Sequence, residues 1–145
     1  MNVAVNGAAG AMGRRVVSLV SQASQCRLVC ALERAGHPAL GQDAGVLVGA
    51  GALGIRLGVD LCGAPDVLID FSAPESTMER ARQCAAAGVA FVTGTTGLTE
   101  AELAALRDDV ATRVPLLAAP NMSIGVNLLF RLAVESWSQG IAEFS

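Results

Sequence analysis

The chain is 145 residues long, and its 52% hydrophobic content with 16 glycines predicts one globular α/β domain rather than a disordered segment. A formal net charge of −3, with ten scattered arginines and no lysine, gives no reason to expect a nucleic-acid partner. No apolar run reaches the roughly 18 residues that a membrane helix needs, and no signal-peptide pattern opens the sequence, so we expect a cytoplasmic protein without a membrane partner.

The chain opens with a predicted strand over residues 2–6 and a turn with glycines at positions 7, 10 and 13. Glycine permits a sharp strand-to-helix turn, and the N-terminus of the following helix attracts phosphate. The turn is therefore a candidate site for the pyrophosphate of a dinucleotide. Its residues are Gly7, Ala8, Ala9, Gly10, Ala11 and Met12. A tight turn without a ligand is the alternative, because the strict dinucleotide motif is G-x-G-x-x-G.

The next elements alternate between helix and strand. Residues 12–23 are predicted to form a helix whose buried side carries Val16, Val17, Leu19 and Val20. Residues 27–32 form an apolar run typical of a buried strand. Residues 35–65 are glycine-rich and are predicted to be irregular, apart from a short strand near 54–57.

The alternation continues through the second half. A strand is predicted over residues 66–71, after which Ser72 is suited to cap a helix, Pro74 to its first turn and Gly88 to its end. Residues 89–93 predict another strand, and a capping-box spacing opens a predicted helix over 99–112. A strand over 114–118 and a helix from 123 to about 139 complete the chain.

This order of elements predicts the fold class and the position of a ligand. It is typical of a Rossmann-type, doubly wound α/β fold, with a mainly parallel sheet and helices on both faces. We expect residues 1–145 to form one dinucleotide-binding domain of this kind. In such sheets the ligand lies outside the carboxyl ends of the strands. Polar or glycine residues follow each predicted strand, which favours one binding edge.

Two charged residues end the second predicted strand. Glu33 lies 20 residues after Gly13, where its carboxylate can accept hydrogen bonds from the adenine-ribose diol of NADH. Arg34 can instead pair with the 2′-phosphate of NADPH. The pair therefore predicts that both cofactors are accepted. A solvated ion pair at a strand end is the alternative.

Hydroxyl and amide groups follow the later strands. Residues 94–97, Gly-Thr-Thr-Gly, suit a nicotinamide ribose, its carboxamide or a substrate carboxylate, although they also fit an ordinary hydroxyl-rich turn. Asn121 and Ser123 lie between the last strand and the last helix, where an amide or backbone oxygen can orient a nicotinamide carboxamide. Asp70 and Ser72 have a structural alternative, since Asp70 can bond a neighbouring turn and Ser72 can cap a helix.

The cysteines and the single histidine give no metal-binding pattern. No C-x-x-C pair occurs, so we expect no structural zinc. All four cysteines are expected to be reduced thiols, with Cys30 and Cys84 buried as small apolar residues. We expect His37 at the surface and Trp137 in a packing role.

Five segments together resemble the 4-hydroxy-tetrahydrodipicolinate (dihydrodipicolinate) reductases, NAD(P)H enzymes of the diaminopimelate and lysine pathway. They are VNGAAGAMG at 5–13, ALER at 31–34, DFS at 70–72, GTTG at 94–97 and APNMSIGVN at 119–127. The last two segments are the specific ones. The resemblance implies hydride transfer from NADH or NADPH to a small cyclic dicarboxylate.

The resemblance also implies which residues bind the cofactor. Residues 7–12 would hold the pyrophosphate, and Glu33 and Arg34 would bind the adenine ribose. The nicotinamide would be lined by Gly94, Thr95, Thr96, Ala119, Pro120, Asn121 and Met122. Ala11 is a departure, because the family commonly has an arginine before Met12, although Arg14 and Arg15 lie nearby.

The family further implies a second domain that binds the dicarboxylate through a histidine-rich motif with a lysine and builds most of a homotetramer. The sequence stops at Ser145, where that domain would begin, so we expect a nucleotide-binding half without catalytic residues. Such a half is expected to be inactive and to be a monomer or weak dimer. A non-catalytic regulatory module and another Rossmann dehydrogenase or CoA-binding domain remain the alternatives.

Overall fold

The structure is a computed structural model that describes residues 1–119, 121 and 122. Within these residues, six strands form one sheet in which every pairing of neighbouring strands is parallel. In chain order the elements are β1 (Asn2–Asn6), α1 (Ala11–Gln22), β2 (Arg27–Leu32), α2 (Ala44–Leu47), β3 (Leu57–Gly58), β4 (Val67–Asp70), α3 (Pro74–Ala87), β5 (Ala90–Thr93), α4 (Glu100–Ala105), the π-helical turn Leu106–Val110 and β6 (Leu116–Ala118).

The strand order confirms the predicted Rossmann-type fold. The sheet runs β3-β2-β1-β4-β5-β6, so the strand order reverses between β1 and β4. The registers Asn6↔Leu32 and Asn6↔Asp70 align the carboxyl ends of β2, β1 and β4 with one another. Ligands of open α/β sheets bind at such a reversal point, outside the carboxyl ends of the strands.

The two faces of the sheet carry separate hydrophobic cores. Val3 and Val5 of β1 face a core that includes Val17 and Val20 of α1. The residue between them, Ala4, faces the opposite core. The α3 residues of that second core are Met78, Ala81 and Cys84. Because successive side chains of a strand point to opposite faces, this alternation places helices on both faces, as predicted.

The buried face of α1 differs from the prediction at one residue. The buried stripe is formed by Gly13, Val17 and Val20, which follow one another by four and three positions. The prediction that Leu19 is buried is wrong, because its side chain is 68% exposed. Each residue turns a helix by about 100°, so Leu19 lies about 200° from Val17 and faces solvent.

The start of α3 confirms one cap prediction and corrects another. Pro74 lies in the first turn, and Gly88 ends the helix in the left-handed conformation with a φ of 72°. The prediction that Ser72 caps this helix is wrong, because Ala73 is the N-cap residue and gives no side-chain cap. The Ser72 hydroxyl instead donates to Asp70 Oδ1 over 2.6 Å. Ser72 lies one residue before the N-cap, so it does not occupy the capping position.

The structure differs from the prediction at α4, β3 and α2. The capping box of Thr99 and Glu102 is confirmed, but α4 gives way to a π-helical turn after Ala105. The strand expected near 54–57 is β3, which lies at Leu57–Gly58. The helix α2 was not predicted, and Asp43 caps it by accepting the N–H groups of two following residues.

Several predictions concern residues outside the described part of the chain. These are the positions of Pro120 and Ser123, the helix over 123–139 and the packing of Trp137. Among residues 1–119, 121 and 122, no helix is long and apolar enough to cross a membrane.

Candidate functional site

Two neighbouring cavities follow the carboxyl edge of the sheet. The larger, of about 750 Å³, is lined by Ala11, Met12, Phe71, Ser72, Gly94, Thr95, Thr96, Asn121 and Met122. The smaller, of about 250 Å³, is lined by Gly7, Gly10, Glu33, Arg34, His37, Phe71, Ser72, Ala73 and Ser76. Because Phe71 and Ser72 line both, the cavities form one crevice across the reversal point. We refer to these as the larger and smaller cavity.

The turn between β1 and α1 needs glycine at two positions. Gly7 has a φ of +72°, and a Cβ there would lie 2.5 Å from the carbonyl oxygen of Phe71. A Cβ on Gly13 would overlap the carbonyl oxygen of Gly7. The turn is closed by a 2.9 Å hydrogen bond from the Gly10 N–H to the Gly7 carbonyl. The glycines thus bring the start of α1 against the ends of β1 and β4.

The N-terminus of α1 opens onto the crevice. Gly10 is its N-cap residue and offers no side chain, and the first turn contains no acidic residue. The N–H groups of the first turn of a helix have no partner within the helix, and the helix dipole makes this end positive. Ala11 and Met12, the first two residues of α1, line the larger cavity. A phosphate group is therefore favoured at this position.

Glu33 is fastened to the glycine turn. Its Oε2 accepts the Ala9 N–H over 3.1 Å, and its Oε1 accepts the Arg34 N–H over 3.0 Å. The Ala8 N–H donates to the Leu32 carbonyl, which adds a second link between the turn and the end of β2. The structure thus brings Glu33, Arg34 and the glycine turn together, and Arg34 is exposed beside the smaller cavity.

Arg14 also lies against the glycine turn. Its Nε donates to the Ala9 carbonyl over 2.8 Å. The guanidinium therefore folds back along α1 and places a positive charge beside the turn.

A buried carboxylate beneath the crevice was not assigned to this role from the sequence. Asp70 is 0% exposed and ends β4. Its Oδ2 accepts the hydroxyls of Thr77, Thr93 and Thr95 at 2.6, 2.8 and 2.9 Å. Its Oδ1 accepts the Ser72 hydroxyl at 2.6 Å and the amide of Asn6 at 2.7 Å. Five hydrogen bonds therefore gather side chains of β1, β4, α3 and β5, with their adjoining turns, around one carboxylate.

This network fixes the wall of the larger cavity. Thr95 Oγ1 bonds Asp70 and also accepts the Ser72 N–H over 3.1 Å. The Asn6 amide also donates to the Ser72 and Ser76 hydroxyls, each at 3.0 Å. Bonds of this kind hold Ser72 and Thr95 in one arrangement before any ligand binds. Asp70 therefore has a structural role, as the alternative held, but its contacts reach well beyond the neighbouring turn.

Phe71 was not identified from the sequence either. Its aromatic ring lies directly over Gly94, where a Cβ would overlap the ring. Gly94 donates its N–H to the Asp70 carbonyl over 3.0 Å, which holds the two strand ends together. The absence of a side chain at residue 94 therefore gives Phe71 its place between the two cavities.

The remaining predicted residues are distributed around the crevice. Ala119 lines a separate small cavity of about 90 Å³ together with Thr95 and Thr96. Asn121 and Met122 line the larger cavity, whereas Pro120 lies outside the described residues. Ala8 and Ala9 are buried, so only their backbone groups are placed to bind a ligand.

His37 has a more specific position than the expected surface location. It is half-buried and lines the smaller cavity with Glu33 and Arg34. Its Nδ1 accepts the Ala39 N–H over 3.1 Å, so the proton of the neutral ring is on Nε2. The larger cavity is lined by other residues, so His37 faces the opposite end of the crevice from Thr95 and Thr96.

The thiols are placed as expected at two positions. Cys30 and Cys84 are buried, and burial raises the pKa of their thiols to about 12 and about 11. All four cysteines are free thiols. No group of three or more histidine, cysteine or acidic side chains suited to a metal ion occurs in the described part of the chain.

Comparisons with known proteins agree with the geometry. The family model described as "Dihydrodipicolinate reductase, N-terminus" matches residues 1–122. The chain is 49% identical over 134 residues to the 4-hydroxy-tetrahydrodipicolinate reductase of Alkalilimnicola ehrlichii, covering 90% of this chain and 50% of that protein. It is 44% identical over 138 residues to the reductase of the same name from Citrifermentans bemidjiense, covering 93% and 51%. The chain spans about half the length of the curated relatives it matches.

Solved structures share the architecture. A dipicolinate-bound dihydrodipicolinate reductase from Paenisporosarcina sp. TG-14 superposes with a TM-score of 0.73 at 24% identity, covering 94% of this chain and 53% of that one. GenD2 from gentamicin A biosynthesis, in complex with NAD, superposes with a TM-score of 0.64 at 19% identity, covering 83% and 34%. At these identities the likeness shows the fold alone. The sequence matches go further and establish that this chain belongs to the dihydrodipicolinate reductase family, whose N-terminal part it corresponds to.

Proposed function

We propose that the crevice binds NADH or NADPH, and that residues 1–145 form the nucleotide-binding domain of a 4-hydroxy-tetrahydrodipicolinate reductase. The observation that carries the proposal is the continuity of the crevice. It runs from Glu33 and Arg34, past the N-terminus of α1, to Thr95 and Thr96. That path matches the three parts of a dinucleotide: an adenosine, a pyrophosphate and a nicotinamide riboside.

The glycine turn fits the pyrophosphate. Any side chain on Gly7 or Gly13 would meet backbone atoms, so the turn approaches a ligand with its backbone alone. The N–H groups at the start of α1 and the helix dipole favour a doubly charged group there. Arg14, held on the Ala9 carbonyl, adds a positive charge close to the same turn.

The smaller cavity fits the adenosine end. A carboxylate can accept about four hydrogen bonds, so Glu33 retains capacity for a ribose diol after accepting the N–H groups of Ala9 and Arg34. These two bonds orient the carboxylate before the ligand arrives, which lowers the entropy cost of binding. The guanidinium of Arg34 is exposed and suited to a 2′-phosphate. We therefore propose that both cofactors bind.

The larger cavity fits the nicotinamide end. Bound NADH or NADPH would supply hydride chemistry, and the residues of this chain would hold and orient the ring. Thr95 is held by Asp70, and Gly94 leaves room for the ring of Phe71, which lines both this cavity and the adenosine end. Asn121 and Met122, which follow β6, also line this cavity. The fixed wall would restrict the ring to one orientation.

The chemistry of the chain supports binding more than turnover. A general acid must lie within hydrogen-bond reach of the proton it transfers, and the 145 residues contain one histidine and no lysine. That histidine, His37, lies at the adenosine end. We therefore propose that these residues alone bind the dinucleotide without reducing a dicarboxylate, and that they form a monomer or weak dimer. Light scattering and an NADPH-consumption assay test the two statements, which a stable tetramer or measurable turnover would overturn.

Cofactor recognition is tested by titrating NADH and NADPH and following nicotinamide fluorescence. A hydrogen bond to a charged group contributes about 1.5–3 kcal/mol, so Glu33→Ala should weaken NADH binding roughly 10- to 100-fold. Arg34→Ala should weaken NADPH binding about two- to fivefold and NADH binding less. Arg27→Ala is the matched control, because Arg27 is an exposed arginine at the opposite end of β2. Equal losses for Arg27→Ala and Arg34→Ala, or no response to either cofactor, would contradict the proposal.

A further inference from the structure

The segment between β3 and β4 crosses the sheet at the point where the strand order reverses. β3 lies at the edge beside β2, whereas β4 lies on the other side of β1, so residues 59–66 pass over both intervening strands. Leu61 in this segment packs against the core that contains Cys30 and Leu32. We call residues 59–66 the crossing segment.

Two cysteines meet where the crossing segment passes over β2. The Sγ atoms of Cys30 and Cys62 are 3.0 Å apart, with the Cys62 thiol donating to Cys30. The Cys62 N–H donates to Cys30 Sγ over 3.3 Å, and the Cys30 thiol contacts the Asp60 carbonyl at 3.8 Å. Both thiols are free, with Cys30 1% exposed and Cys62 exposed to solvent. One sulfur of the pair is therefore accessible to a soluble oxidant and the other is within bonding reach.

The packing around the pair holds the two chain segments in this arrangement. A Cβ on Gly63 would lie 2.5 Å from the Val29 carbonyl, so the crossing segment lies directly on β2. Arg80 of α3 donates from Nη2 to the Val59 carbonyl over 2.6 Å, and this side chain is buried. These contacts fix the segment on both sides of Cys62, so the two sulfur atoms remain close in the folded chain.

We propose that Cys30 and Cys62 form a reversible disulfide when the folded chain meets a hydroperoxide, and that this bond clamps the crossing segment to β2. The bond joins the crossing segment to β2. Among the described residues, the crossing segment alone spans the reversal of strand order, and β2 ends next to Glu33. It does not require a bound nucleotide, so it is independent of the proposed function.

The oxidation takes place in two balanced steps. Sulfur of Cys62 attacks the peroxide, the O–O bond breaks, and a sulfenic acid and one molecule of water (or alcohol) are formed. Cys30 sulfur then attacks Cys62 Sγ, the S–O bond breaks, and the Cys30 proton leaves with the hydroxide as a second water. The two thiols are oxidised by two electrons, and the hydroperoxide is reduced by two. A thiol reductant reverses the change by thiol–disulfide exchange.

The environment of the pair assigns the two roles. Burial, followed by the hydrogen bond from Cys62, raises the pKa of the Cys30 thiol to about 12, so Cys30 is a poor first nucleophile. Cys62 is exposed and is the sulfur that meets the oxidant. The positive charge of Arg80 lowers the pKa of Cys30, in opposition to burial, and favours negative charge on the Cys30 sulfur in the second step.

Peptide mapping tests the proposal directly. The folded chain is treated with one equivalent of hydrogen peroxide, unfolded in urea that contains N-ethylmaleimide to block every free thiol, and digested with trypsin. Cleavage after arginine separates all four cysteines, with Cys30 in residues 28–34 and Cys62 in residues 57–80. We expect these two peptides to be joined, with a loss of about 2 Da relative to the sum of their reduced masses, and to separate as free thiols after dithiothreitol. Cys26 and Cys84 should remain unlinked.

Two variants make the outcome decisive. Cys62→Ala changes an exposed residue and should abolish the cross-link while leaving the far-UV circular dichroism unchanged, whereas Cys26→Ala should leave the cross-link intact. Oxidation in concentrated urea, which unfolds the chain, is the reference for unselective pairing. The proposal is overturned if the folded chain gives the same mixture of disulfides as the unfolded chain, or if Cys62 oxidises while Cys30 stays free.

Discussion

The buried carboxylate of Asp70 offers the sharpest test of how the crevice is held. The substitution Asp70→Asn keeps the size of the side chain but replaces one acceptor oxygen with a donor. Five donors face this carboxylate, three on Oδ2 and two on Oδ1. If the oxygen of the new amide took the Oδ1 position, its two N–H groups would face the hydroxyls of Thr77, Thr93 and Thr95. Those hydroxyls would then have to rotate from donating to accepting, and one of the three would lose its bond.

The expected cost follows from these contacts. Hydrogen bonds to a charged group contribute about 1.5–3 kcal/mol and neutral ones about 0.5–1.5 kcal/mol, so five weakened bonds lose about 5 kcal/mol. Removing the buried charge returns part of its desolvation cost, which is several kcal/mol for an ion in a protein interior. We therefore expect the free energy of unfolding to fall by about 2–4 kcal/mol.

Urea unfolding followed by far-UV circular dichroism measures this loss. With a slope of about 1–3 kcal/mol per molar urea, the midpoint should fall by roughly 1–2 M. The control is Asp66→Asn, at the other end of the same strand, because Asp66 is exposed and accepts one N–H, from Asn2 over 2.6 Å. Its unfolding free energy should change by less than about 1 kcal/mol. Equal midpoints for the two variants would refute the role given to Asp70.

Two further predictions test the glycine turn and the Asp43 cap of α2. Gly13→Ala forces a Cβ into the Gly7 carbonyl, so it should cost about 1–3 kcal/mol and weaken dinucleotide binding, whereas Gly58→Ala, where a Cβ meets open space, should change the melting temperature little. Backbone N–H groups, of Leu53 first and of Val46, Gly45 and Gly54, hold the pKa of Asp43 below its usual value of 3.8. A lowered folded-state pKa gives stability that is complete above about pH 4 and is lost as the pH falls below it, so Asp43→Asn should flatten the acid limb of a melting-temperature profile; an unchanged profile would contradict this assignment.

Much of the fold was predictable because its signals are local. The bounds of β1 and β2 agree with the prediction, since both are apolar runs bounded by polar or glycine residues. The start and end of α3 were also predicted, from Pro74 and Gly88. The helix α2 was missed because four residues are too few to show helical periodicity, and Asp43 was the only local indication of its start.

The candidate site was predictable only in part, because its supporting contacts depend on strand order. Polar residues after each strand indicated the binding edge. The bond between Asn6 and Asp70 joins residues 64 positions apart, and it exists because β1 pairs with β4 in the register Asn6↔Asp70. The place of Phe71 over Gly94 likewise follows from the pairing of β4 with β5. Neither contact has a signal in the sequence alone.

The central claim, that a nicotinamide dinucleotide occupies this crevice, is tested most directly by amide chemical shifts. Titration of the ¹⁵N-labelled chain with NADH should move the N–H signals of residues 7–13, Glu33 and residues 94–96 together, with one dissociation constant. The signals of Leu61 and Cys62, in the crossing segment outside the two cavities, should move far less. Shifts confined to other surfaces, or no saturable shift at the glycine turn, would contradict the account.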